Sequence, residues 1–455
     1  MKIISDLHIH SKNSRGCSKD LDLANLEKYA KIKGVGLLGT GDFTHPAWIE
    51  EIKKNLTEDG TGVLRSKNGF PFVMQTEISL VYSQGGKGRR VHNVVLAPSI
   101  EVATQITDEL KKRGRVDYDG RPIFKISCME FSEMLNKISK DIEMIPAHIW
   151  TPWFSLFGSR SGFDSIKEAF GDQLKNIHAI ETGLSSDPQM NWRLSQLDNM
   201  QILSFSDLHS YWPWRMGREA TILDIEKLTH NNLIKAIRTG EGLHGTIEVD
   251  PAYGKYHEDG HRNCDVCLTP SESIKVKGIC PKCGRPLTIG VHHRVDELAD
   301  RPEGYVRKDA KKVYSLIPLQ ELLANVFGRG MATKKMWEEY CKIIKLGSEM
   351  DVLMNVPYER LLSVTTEKMA RAIIRNREGK LNIKPGYDGR YGVPLFDENE
   401  REYAGPQIFF GSDDKEEKTD GKKDSKKEAV GSDGGNKPRG RPKKTDASQK
   451  GLGDF

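Results

Sequence analysis

Short apolar runs recur through the first half of the chain, and stretches with helical spacing lie between some of them. The apolar runs are Met1–Ile9, Gly34–Leu38, Pro71–Ile78, Val91–Leu96, Met144–His148, Ile177–Glu181 and Ile202–Ser206. Helical spacing is found at Leu21–Lys33 and Ser165–Phe170. Strands that alternate with helices are typical of an α/β layer or barrel with a mostly parallel sheet. The pattern therefore predicts an α/β domain over residues 1–248.

Apolar residues recur at helical spacing in the second half of the chain as well. Pro318 precedes the amphipathic segment Leu319–Phe327, and further segments follow at Thr333–Ile344 and Thr366–Ile374. A proline just before such a segment is a helix start signal. We predict a helical domain over residues 301–410 whose basic side chains bind DNA, although a solvated helix face would carry the same charges.

Residues 411–455 differ in kind from the rest of the chain. They hold 12 basic and 10 acidic residues but only five hydrophobic ones, so we predict a disordered tail. Within it, Pro438–Pro442 resembles an AT-hook, which is a minor-groove clamp, and a generic basic patch is the alternative. Gln449, Leu452 and Phe455 have the spacing of a peptide that docks into a DNA sliding clamp.

Composition excludes several classes of protein. The chain has 455 residues, 37% of them hydrophobic, and a net charge of +5. No stretch approaches the roughly 20 apolar residues of a membrane helix, so we expect no membrane partner. The beginning, MKIISDLHIH, lacks the apolar core of a signal peptide. Four of the seven cysteines form two C-x-x-C pairs, which is typical of metal binding in a reducing compartment, and we expect an intracellular, cytoplasmic protein.

Histidines and carboxylates stand at or near the ends of most predicted strands. His8 and His10 are two residues apart, as are Asp207 and His209, so on a strand each pair shares one face. The full set of candidate metal ligands is His8, His10, Asp42, Glu77, His92, His148, Asp207 and His209. Imidazoles with carboxylates suit zinc, manganese or iron, and about eight ligands would serve two or more ions.

A lone histidine at a strand end is more often a core or capping residue than a metal ligand. We place His178 and His230 in that class. Two pairs that each close or follow an apolar run are much harder to obtain by chance, and they favour a metal centre.

Six motifs in order, DLHIH, GTGDF, TEI, VHNVV, PAHIW and SDLHS, resemble the PHP phosphoesterase superfamily. More narrowly, TGDFTHPAW, the aromatic segment after PAHIW and the downstream cysteines resemble the endonuclease Q family. The resemblance covers about residues 1–400. It implies a distorted (β/α)7 barrel that holds up to three metal ions.

The same resemblance implies how the candidate ligands act. Asp42 falls where many relatives have a histidine, and the loop after His10 lacks the usual aspartate or histidine, so Cys17 or Asp20 is a possible substitute. The number of divalent ions therefore stays at two or three, with zinc expected and manganese or magnesium as alternatives. The residues expected to act in catalysis are Asp207, His209, Glu77 and His148. Whether Asp207 or an activated water is the base stays open.

Aromatic and basic side chains flank these ligands and are candidates for substrate binding. They are Trp150, Trp153, Trp212, Trp214, Arg215, Arg218, Arg89 and Arg90. An aromatic rim beside a phosphate-cleaving centre suits a stacked or flipped base, whereas tryptophans that fill the core are the alternative. The resemblance implies incision 5′ of a deaminated base (uracil, hypoxanthine or xanthine) or of an abasic site.

The cysteine pairs Cys264–Cys267 and Cys280–Cys283 are separated by twelve residues, close to the spacing of a zinc ribbon. We predict a module over residues 249–300 with one structural zinc, which also has basic residues for DNA contact. Taken together, the sequence predicts a metal-dependent DNA-repair endonuclease that associates with the nucleoid and a sliding clamp. A small-molecule phosphatase and a catalytically idle clamp-binding DNA scaffold are the rival interpretations.

Overall fold

The computed structural model describes residues 1–395. Its strands are β1 Lys2–Asp6, β2 Leu37–Gly39, β3 Leu56–Glu58, β4 Leu64–Ser66, β5 Pro71–Gln84, β6 Lys87–Ala97, β7 Ile123–Phe124, β8 Glu143–Pro146, β9 Ala179–Glu181, β10 Gln201–Leu203, β11 Ala220–Asp224, β12 Leu243–Glu248, β13 Asp259–His261, β14 Val266–Leu268, β15 Lys312–Ser315, β16 Asn382–Lys384 and β17 Val393–Leu395. Its helices are α1 Leu23–Lys33, α2 Pro46–Asn55, α3 Ile100–Lys111, α4 Cys128–Ile138, α5 Ile166–Phe170, α6 Pro188–Trp192, α7 His230–Thr239, α8 Pro270–Lys275, α9 Val291–Leu298, α10 Leu319–Phe327, α11 Lys334–Ile343, α12 Glu349–Met354, α13 Tyr358–Leu362 and α14 Glu367–Arg377. The predicted tail, with its AT-hook-like segment and clamp-docking residues, lies outside the described residues.

The central sheet has eleven strands and is mixed rather than mostly parallel. β1, β2 and β5 are parallel neighbours, but β5 and β6 form a long antiparallel hairpin. The turn of that hairpin uses Gly85 and Gly86 at φ 61° and 73°, a conformation that glycine adopts readily. β11 and β12 add to the far side of β1 as antiparallel strands. Local periodicity revealed neither of these two strands, which is why the expected strand directions were partly wrong.

Seven strands surround the region where the candidate ligands meet: β1, β2, β5, β6, β8, β9 and β10. β9 and β10 form a separate parallel pair. The amide of Ile149, after β8, donates to the carbonyl of Glu181 at 3.1 Å, and Ile9 and Leu208 form a single bridge beyond β1 and β10. The described residues thus form a mixed α/β fold. The β9–β10 pair is joined to the segments after β8 and β1 by only these few backbone contacts, so a closed barrel stays a prediction.

Both faces of the central sheet are buried. Phe72 and Met74 of β5 belong to a cluster that includes Trp48 of α2, whereas Val73 belongs to a second cluster with Leu233 of α7. A strand covered on both faces reads as a continuous apolar run, which explains the pattern PFVM at the start of β5.

The helical region α10–α14 has its own apolar cluster, which also includes Ile222 of β11 and Ile247 of β12. α10 has the predicted bounds, and α11 and α14 begin within one residue of their predicted starts. Tyr256 and Val295, from the cysteine-containing region, belong to the cluster of α1 and α2. The predicted domain boundaries after residues 248 and 300 therefore pass through shared cores. Within residues 1–395, no helix combines the length and apolar character that crossing a bilayer requires.

Candidate metal-dependent active site

The candidate ligands meet at one end of the seven strands. His8 and His10 follow β1, His148 follows β8 and Asp207 follows β10. Glu77 lies within β5 opposite Val94, and His92 lies within β6 opposite Ser79. The side chains of His209 and Asp207 keep 32% and 30% of their surface exposed, and the other candidate ligands are buried. The cluster is therefore shielded from solvent except at the edge formed by Asp207 and His209.

Glu77 stands between two pairs of imidazoles. Its Oε2 lies 3.4 Å from Nε2 of His8 and 3.1 Å from Nε2 of His10. Its Oε1 lies 2.7 Å from Nδ1 of His92 and 3.2 Å from Nε2 of His148. One carboxylate thus joins two groups of candidate ligand atoms: His8, His10, Glu77 and Asp207, and Glu77, His92 and His148.

Asp207 and His209 form the open edge of the cluster. Oδ1 of Asp207 lies 3.1 Å from Nε2 of His10 and 3.5 Å from Nε2 of His8. The His209 ring lies 4.7 Å from the His10 ring, and its Nδ1 donates to the Asp207 carbonyl at 2.9 Å. His209 is outside both groups of ligand atoms, so its predicted ligation stays a prediction.

Three site residues have left-handed backbone conformations that non-glycine residues rarely adopt. Asp42, His148 and Asp207 have φ values of 43°, 30° and 47°. Such conformations cost about 1–3 kcal/mol each and are typical of functional sites. The fold thus maintains a strained backbone where it presents these side chains.

Two further carboxylates orient the histidines. Nδ1 of His8 lies 2.9 Å from Oε2 of Glu181, and the His148 amide donates to the same oxygen at 2.9 Å. A hydrogen bond on one ring nitrogen directs the other nitrogen towards a metal. Sequence reasoning missed Glu181, although its position at the end of an apolar run is the signal that marks the other ligands.

Asp42 contacts His10 in the same way, and its role as a direct metal ligand stays a prediction. Oδ1 lies 2.9 Å from Nδ1 of His10, while Oδ2 accepts from the Ser11 amide and from the hydroxyls of Ser11 and Ser14 at 2.6–2.9 Å. The carboxylate is thus occupied by donors on both oxygens. The serines of the loop after His10 explain why that loop needs no aspartate, and neither Cys17 nor Asp20 joins a ligand group.

The electrostatics of the cluster call for added cations. Burial alone lowers the pKa of His8 and His10, but the nearby carboxylates raise it well above the ordinary value. Burial lowers the pKa of His92 to about 4, so its neutral ring keeps a lone pair at physiological pH. Nε2 of His8 and Nδ1 of His92 lie 3.4 and 2.7 Å from oxygens of Glu77, but not in hydrogen-bond geometry. Imidazole nitrogens gathered around a shared carboxylate fit divalent metal ions.

Arg121 is a further charged group of the site that sequence reasoning missed. Its Nη1 donates to Oε2 of Glu77 at 3.3 Å. Gly120 beside it is packed so closely that a Cβ would lie 2.3 Å from Oδ2 of Asp42. The close approach of Gly120 brings this guanidinium into the cluster from a loop without a recognisable motif.

The four candidate tryptophans divide between surface and core. Trp153 is 40% exposed, and Trp212 is half-buried and stacks on Trp214 with ring centroids 5.0 Å apart. Trp150 is buried and donates its indole N–H to Asn191 at 2.8 Å, and Trp214 is also buried. The prediction that Trp150 and Trp214 bind substrate is corrected, because both are part of the core.

The candidate arginines divide in the same way. Arg89 is buried, pairs with Glu168 at 2.7 Å and lies over the Phe163 ring, so its predicted phosphate contact is corrected to a structural role. Arg218 donates to the Ser206 carbonyl at 3.2 Å. Arg90 and Arg215 are half-buried and keep some access to solvent.

The cysteine module differs from the prediction by one ligand. His261, Cys264, Cys280 and Cys283 bring one ligand atom each to a common centre, whereas Cys267 does not join them. Cys267 lies on β14 between Val266 and Leu268 and pairs with Gly260, so its side chain leaves the β13–β14 hairpin on the other face. The C-x-x-C spacing suggested Cys267 as the fourth member of the group, but β13 brings His261 to that position instead.

Comparisons with known proteins cover most of the chain. Residues 318–380 match the family described as the MJ0043 C-terminal domain. "Uncharacterized protein MJ0043" of Methanocaldococcus jannaschii is 34% identical over 255 residues, which are 54% of this chain but only 31% of that relative's length. "Uncharacterized protein YqxK" of Bacillus subtilis is 30% identical over 412 residues, covering 86% of this chain and 98% of the relative.

Two solved structures are similar over most of the chain, each with a TM-score of 0.79, 33% identity and 88% of this chain covered. One is the lesion-specific endonuclease PfuEndoQ of Pyrococcus furiosus, 96% of which is covered. The other is endonuclease Q with a 27-mer duplex that carries an abasic lesion at the active site, 97% covered. Fold and site together define the class of this protein as a metal-dependent endonuclease. Because the identity extends over nearly the whole of both solved chains, the chain belongs to the endonuclease Q family.

Proposed function

We propose that this enzyme cleaves duplex DNA on the 5′ side of a deaminated base or an abasic site. The bridging position of Glu77 carries the chemical part of this proposal, since a carboxylate with two imidazoles at each oxygen fits two neighbouring divalent ions. The relative with an abasic duplex at its active site supports the choice of substrate. Uracil, hypoxanthine and xanthine are the proposed deaminated bases.

The two ligand groups suggest how the ions are held. His8, His10, Glu77 and Asp207 would hold one ion, and Glu77, His92 and His148 would hold the second. When bound, divalent ions (zinc first, manganese or magnesium as alternatives) supply an activated water and offset the charge of the phosphate. A third ion would need His209, which lies beside His10.

Four side chains of the protein orient the ligands or supply charged groups for the reaction. Glu181 and Asp42 fix the rings of His8 and His10. Asp207, whose side chain keeps 30% of its surface exposed, is the residue that we assign to accept a proton from the attacking water. The Arg121 guanidinium offers N–H donors to a phosphate oxygen beside Glu77.

Substrate contacts fall to the accessible part of the predicted rim. Trp153 presents a ring to solvent and packs edge-on against Tyr256, with centroids 5.8 Å apart. An exposed aromatic ring on a firm support is suited to stacking on a base next to a lesion. Arg90 and Arg215, which also keep access to solvent, are the proposed phosphate contacts. A clamp contact through Gln449, Leu452 and Phe455 is part of the proposal, and co-purification of a sliding clamp with the wild-type chain but not with Phe455→Ala tests it.

We also propose that His261, Cys264, Cys280 and Cys283 bind the structural zinc. Nδ1 of His261 lies 3.3 Å from Sγ of Cys283, so imidazole and thiolate already face each other. Cys264→Ser is expected to release one zinc equivalent, whereas the matched Cys267→Ser is expected to keep it. Release of zinc by both variants would restore the four-cysteine arrangement.

The function is tested with a labelled duplex that carries one deoxyuridine or one abasic site. The protein is treated with a chelator, and single-turnover nicking is measured before and after zinc, manganese or magnesium is restored. We expect a metal-dependent nick 5′ of the lesion that leaves a 3′-hydroxyl, and no nick in the undamaged duplex. Release of phosphate from small esters without nicking would support the phosphatase, and binding without hydrolysis would support the scaffold.

A further inference from the structure

A third group of metal-ligating side chains shares no residue with the Glu77 cluster or the cysteine module. It consists of His257 and Glu258, which precede β13, and His292 in the first turn of α9. One ligand atom from each lies within 4.8 Å of the other two. Two imidazoles and one carboxylate form a ligand set that zinc commonly uses in proteins.

The three side chains are aligned on one another. The His257 and His292 rings stack with centroids 5.4 Å apart and an interplanar angle of 24°. Oε1 of Glu258 lies 3.1 Å from Nδ1 of His292 and 3.8 Å from Nε2 of His257. The carboxylate thus faces both rings.

Two buried atoms of this group lack hydrogen-bond partners among the described residues: Nδ1 of His257 and Oε2 of Glu258. Only 7% of the surface of Glu258 is exposed. Burying polar atoms without partners is unfavourable, and it is rare in native proteins unless an ion or water satisfies them. The unpaired carboxylate oxygen and imidazole nitrogen therefore point to a missing cation.

The neighbouring histidine shows the contrasting case. Nδ1 of His293 pairs with Oδ2 of Asp259 at 2.6 Å, and Oδ1 of Asp259 accepts from the Gly290 amide at 2.7 Å. Both carboxylate oxygens of Asp259 are used within the protein. The adjacent pair is thus satisfied, whereas the His257 group is not.

The backbone holds the group in place before any ion binds. The His292 amide donates to the His257 carbonyl at 3.0 Å. Gly290 approaches this strand so closely that a Cβ would lie 2.4 Å from the His257 carbonyl oxygen. The first turn of α9 is therefore fixed against residues 257 and 258, and the three ligands are preorganised.

We propose that His257, Glu258 and His292 bind a divalent transition-metal ion, with zinc as the first candidate. This ion is structural and independent of the proposed cleavage reaction. It joins α9 to the segment before β13, and Arg294 of α9 donates to the carbonyls of Phe157 and Phe163 at 3.1 and 3.2 Å. The ion thus supports the loop after His148 that carries the exposed Trp153.

The test measures metal content in the full chain after zinc loading and removal of free metal. We expect His257→Ala and Glu258→Gln each to lose one zinc equivalent relative to the wild type. The matched control His244→Ala, which removes a histidine that lies beside Lys2, is expected to lose none. A Cys280→Ser variant loses the equivalent of the cysteine module, and its combination with Glu258→Gln is expected to lose two. A full zinc complement in both His257→Ala and Glu258→Gln would overturn the proposal.

Crystals of the zinc-loaded wild type give a measurement that does not depend on the folding of variants. Anomalous scattering at the zinc absorption edge is expected to show a peak between His257, Glu258 and His292. Peaks at the other sites without one here would refute the proposal, whatever the nicking activity of the protein. Failure of the endonuclease assay with a peak at this position would leave the structural ion in place and reject only the proposed function.

Discussion

The cluster around Glu77 and the ion pair of Lys33 with Glu349 are both buried, but they satisfy their polar atoms differently. Nζ of Lys33 lies 2.6 Å from Oε1 of Glu349 and donates to the Pro213 carbonyl at 2.8 Å. Glu349 also accepts from the Leu319 amide at 3.0 Å and from the Tyr340 hydroxyl at 2.7 Å. The charges around Lys33 are thus balanced within the protein, and they join α1 to the helical region.

The Glu77 cluster gathers more potential metal-ligand atoms than hydrogen bonds. Two carboxylates and four imidazoles face one another there, and ring nitrogens of His8 and His92 lie near Glu77 without hydrogen-bond geometry. The comparison teaches that burial of charge does not by itself mark a functional site. Whether the protein completes the hydrogen bonding, or leaves atoms for an ion, separates a structural pair from a metal centre.

The largest expected effect concerns the Glu77 cluster, the candidate metal centre in this comparison. Asp207→Asn removes a carboxylate charge from the open edge of the cluster, so we expect the nicking rate on an abasic duplex to fall by at least roughly 10³-fold, about 4 kcal/mol. Single-turnover nicking measures the change. The control Asp224→Asn alters an exposed aspartate beside the N-terminus and is expected to nick normally. A rate for Asp207→Asn within tenfold of the wild type would remove Asp207 from the site.

The next effect concerns the structural ion pair of Lys33 with Glu349. Lys33→Met leaves Glu349 charged, buried and without its ion partner, and we expect it to lower the free energy of unfolding by about 3 kcal/mol. Denaturant unfolding measures this change. Lys31→Met breaks a pair whose lysine is half exposed and is expected to change stability by less than about 1 kcal/mol. Equal stability of the two variants would contradict a structural role for the Lys33 pair.

A smaller effect concerns Arg121, whose positively charged guanidinium contacts Glu77. Arg121→Gln is expected to slow nicking by roughly 10²-fold, because a charged donor to the phosphate is lost. Metal content is expected to stay at the wild-type level, which separates this effect from loss of a ligand. Arg115→Gln, at an exposed pair with Asp117, is the control. A parallel loss of metal and activity in Arg121→Gln would make Arg121 a support for the ligands instead.

The smallest effect sharpens the comparison with a third buried cluster, formed by Glu219 and Glu248. Each has one oxygen without a partner among the described residues, yet no imidazole completes a ligand group with them there. Burial, followed by the charge of Glu248, raises the pKa of Glu219 well above the usual value, and burial also raises the pKa of Glu248. Burial therefore favours the protonated form of these carboxyls.

A raised pKa in the folded state fixes the sign of the pH dependence. The stabilising contribution of the protonated Glu248 is complete below the unfolded-state pKa of about 4.3 and is lost as pH rises towards the higher folded-state pKa. Glu248→Gln keeps an uncharged side chain, so its stability relative to the wild type is expected to increase with pH above that point, by about 1 kcal/mol or more at pH 8. Urea unfolding at pH 5 and pH 8 measures the difference. A difference that does not change with pH would show that Glu248 is charged in the folded protein.

Sequence patterns were most informative where a short-range rule applies. The parity of His8 and His10 predicted that both rings point to one side, and both rings indeed face Glu77. The amphipathic spacing of Leu319–Phe327 predicted α10 with its observed bounds. Both rules depend only on backbone geometry within a few residues, which is why they transfer directly from sequence to structure.

Longer-range arrangements were less accessible. Arg121 enters the cluster from a loop without a recognisable motif. The end of an apolar run marks Glu181 as a candidate, but it does not predict the contact with His8. Trp150 and Trp153 are three residues apart, yet one is core and the other is exposed, since the turn between them decides which ring faces inwards.

The amino-acid sequence by itself determined the ligand types, the family resemblance and the presence of a separate cysteine module, because these depend on residue identity and local spacing. Only the tertiary structure brings Asp42 within hydrogen-bond distance of His10, and only it brings His261 instead of Cys267 beside the other three cysteines. The physical reason is the same in both cases. Whether a polar atom remains free for an ion depends on the donors and acceptors that the fold brings to it, and those come from distant parts of the chain.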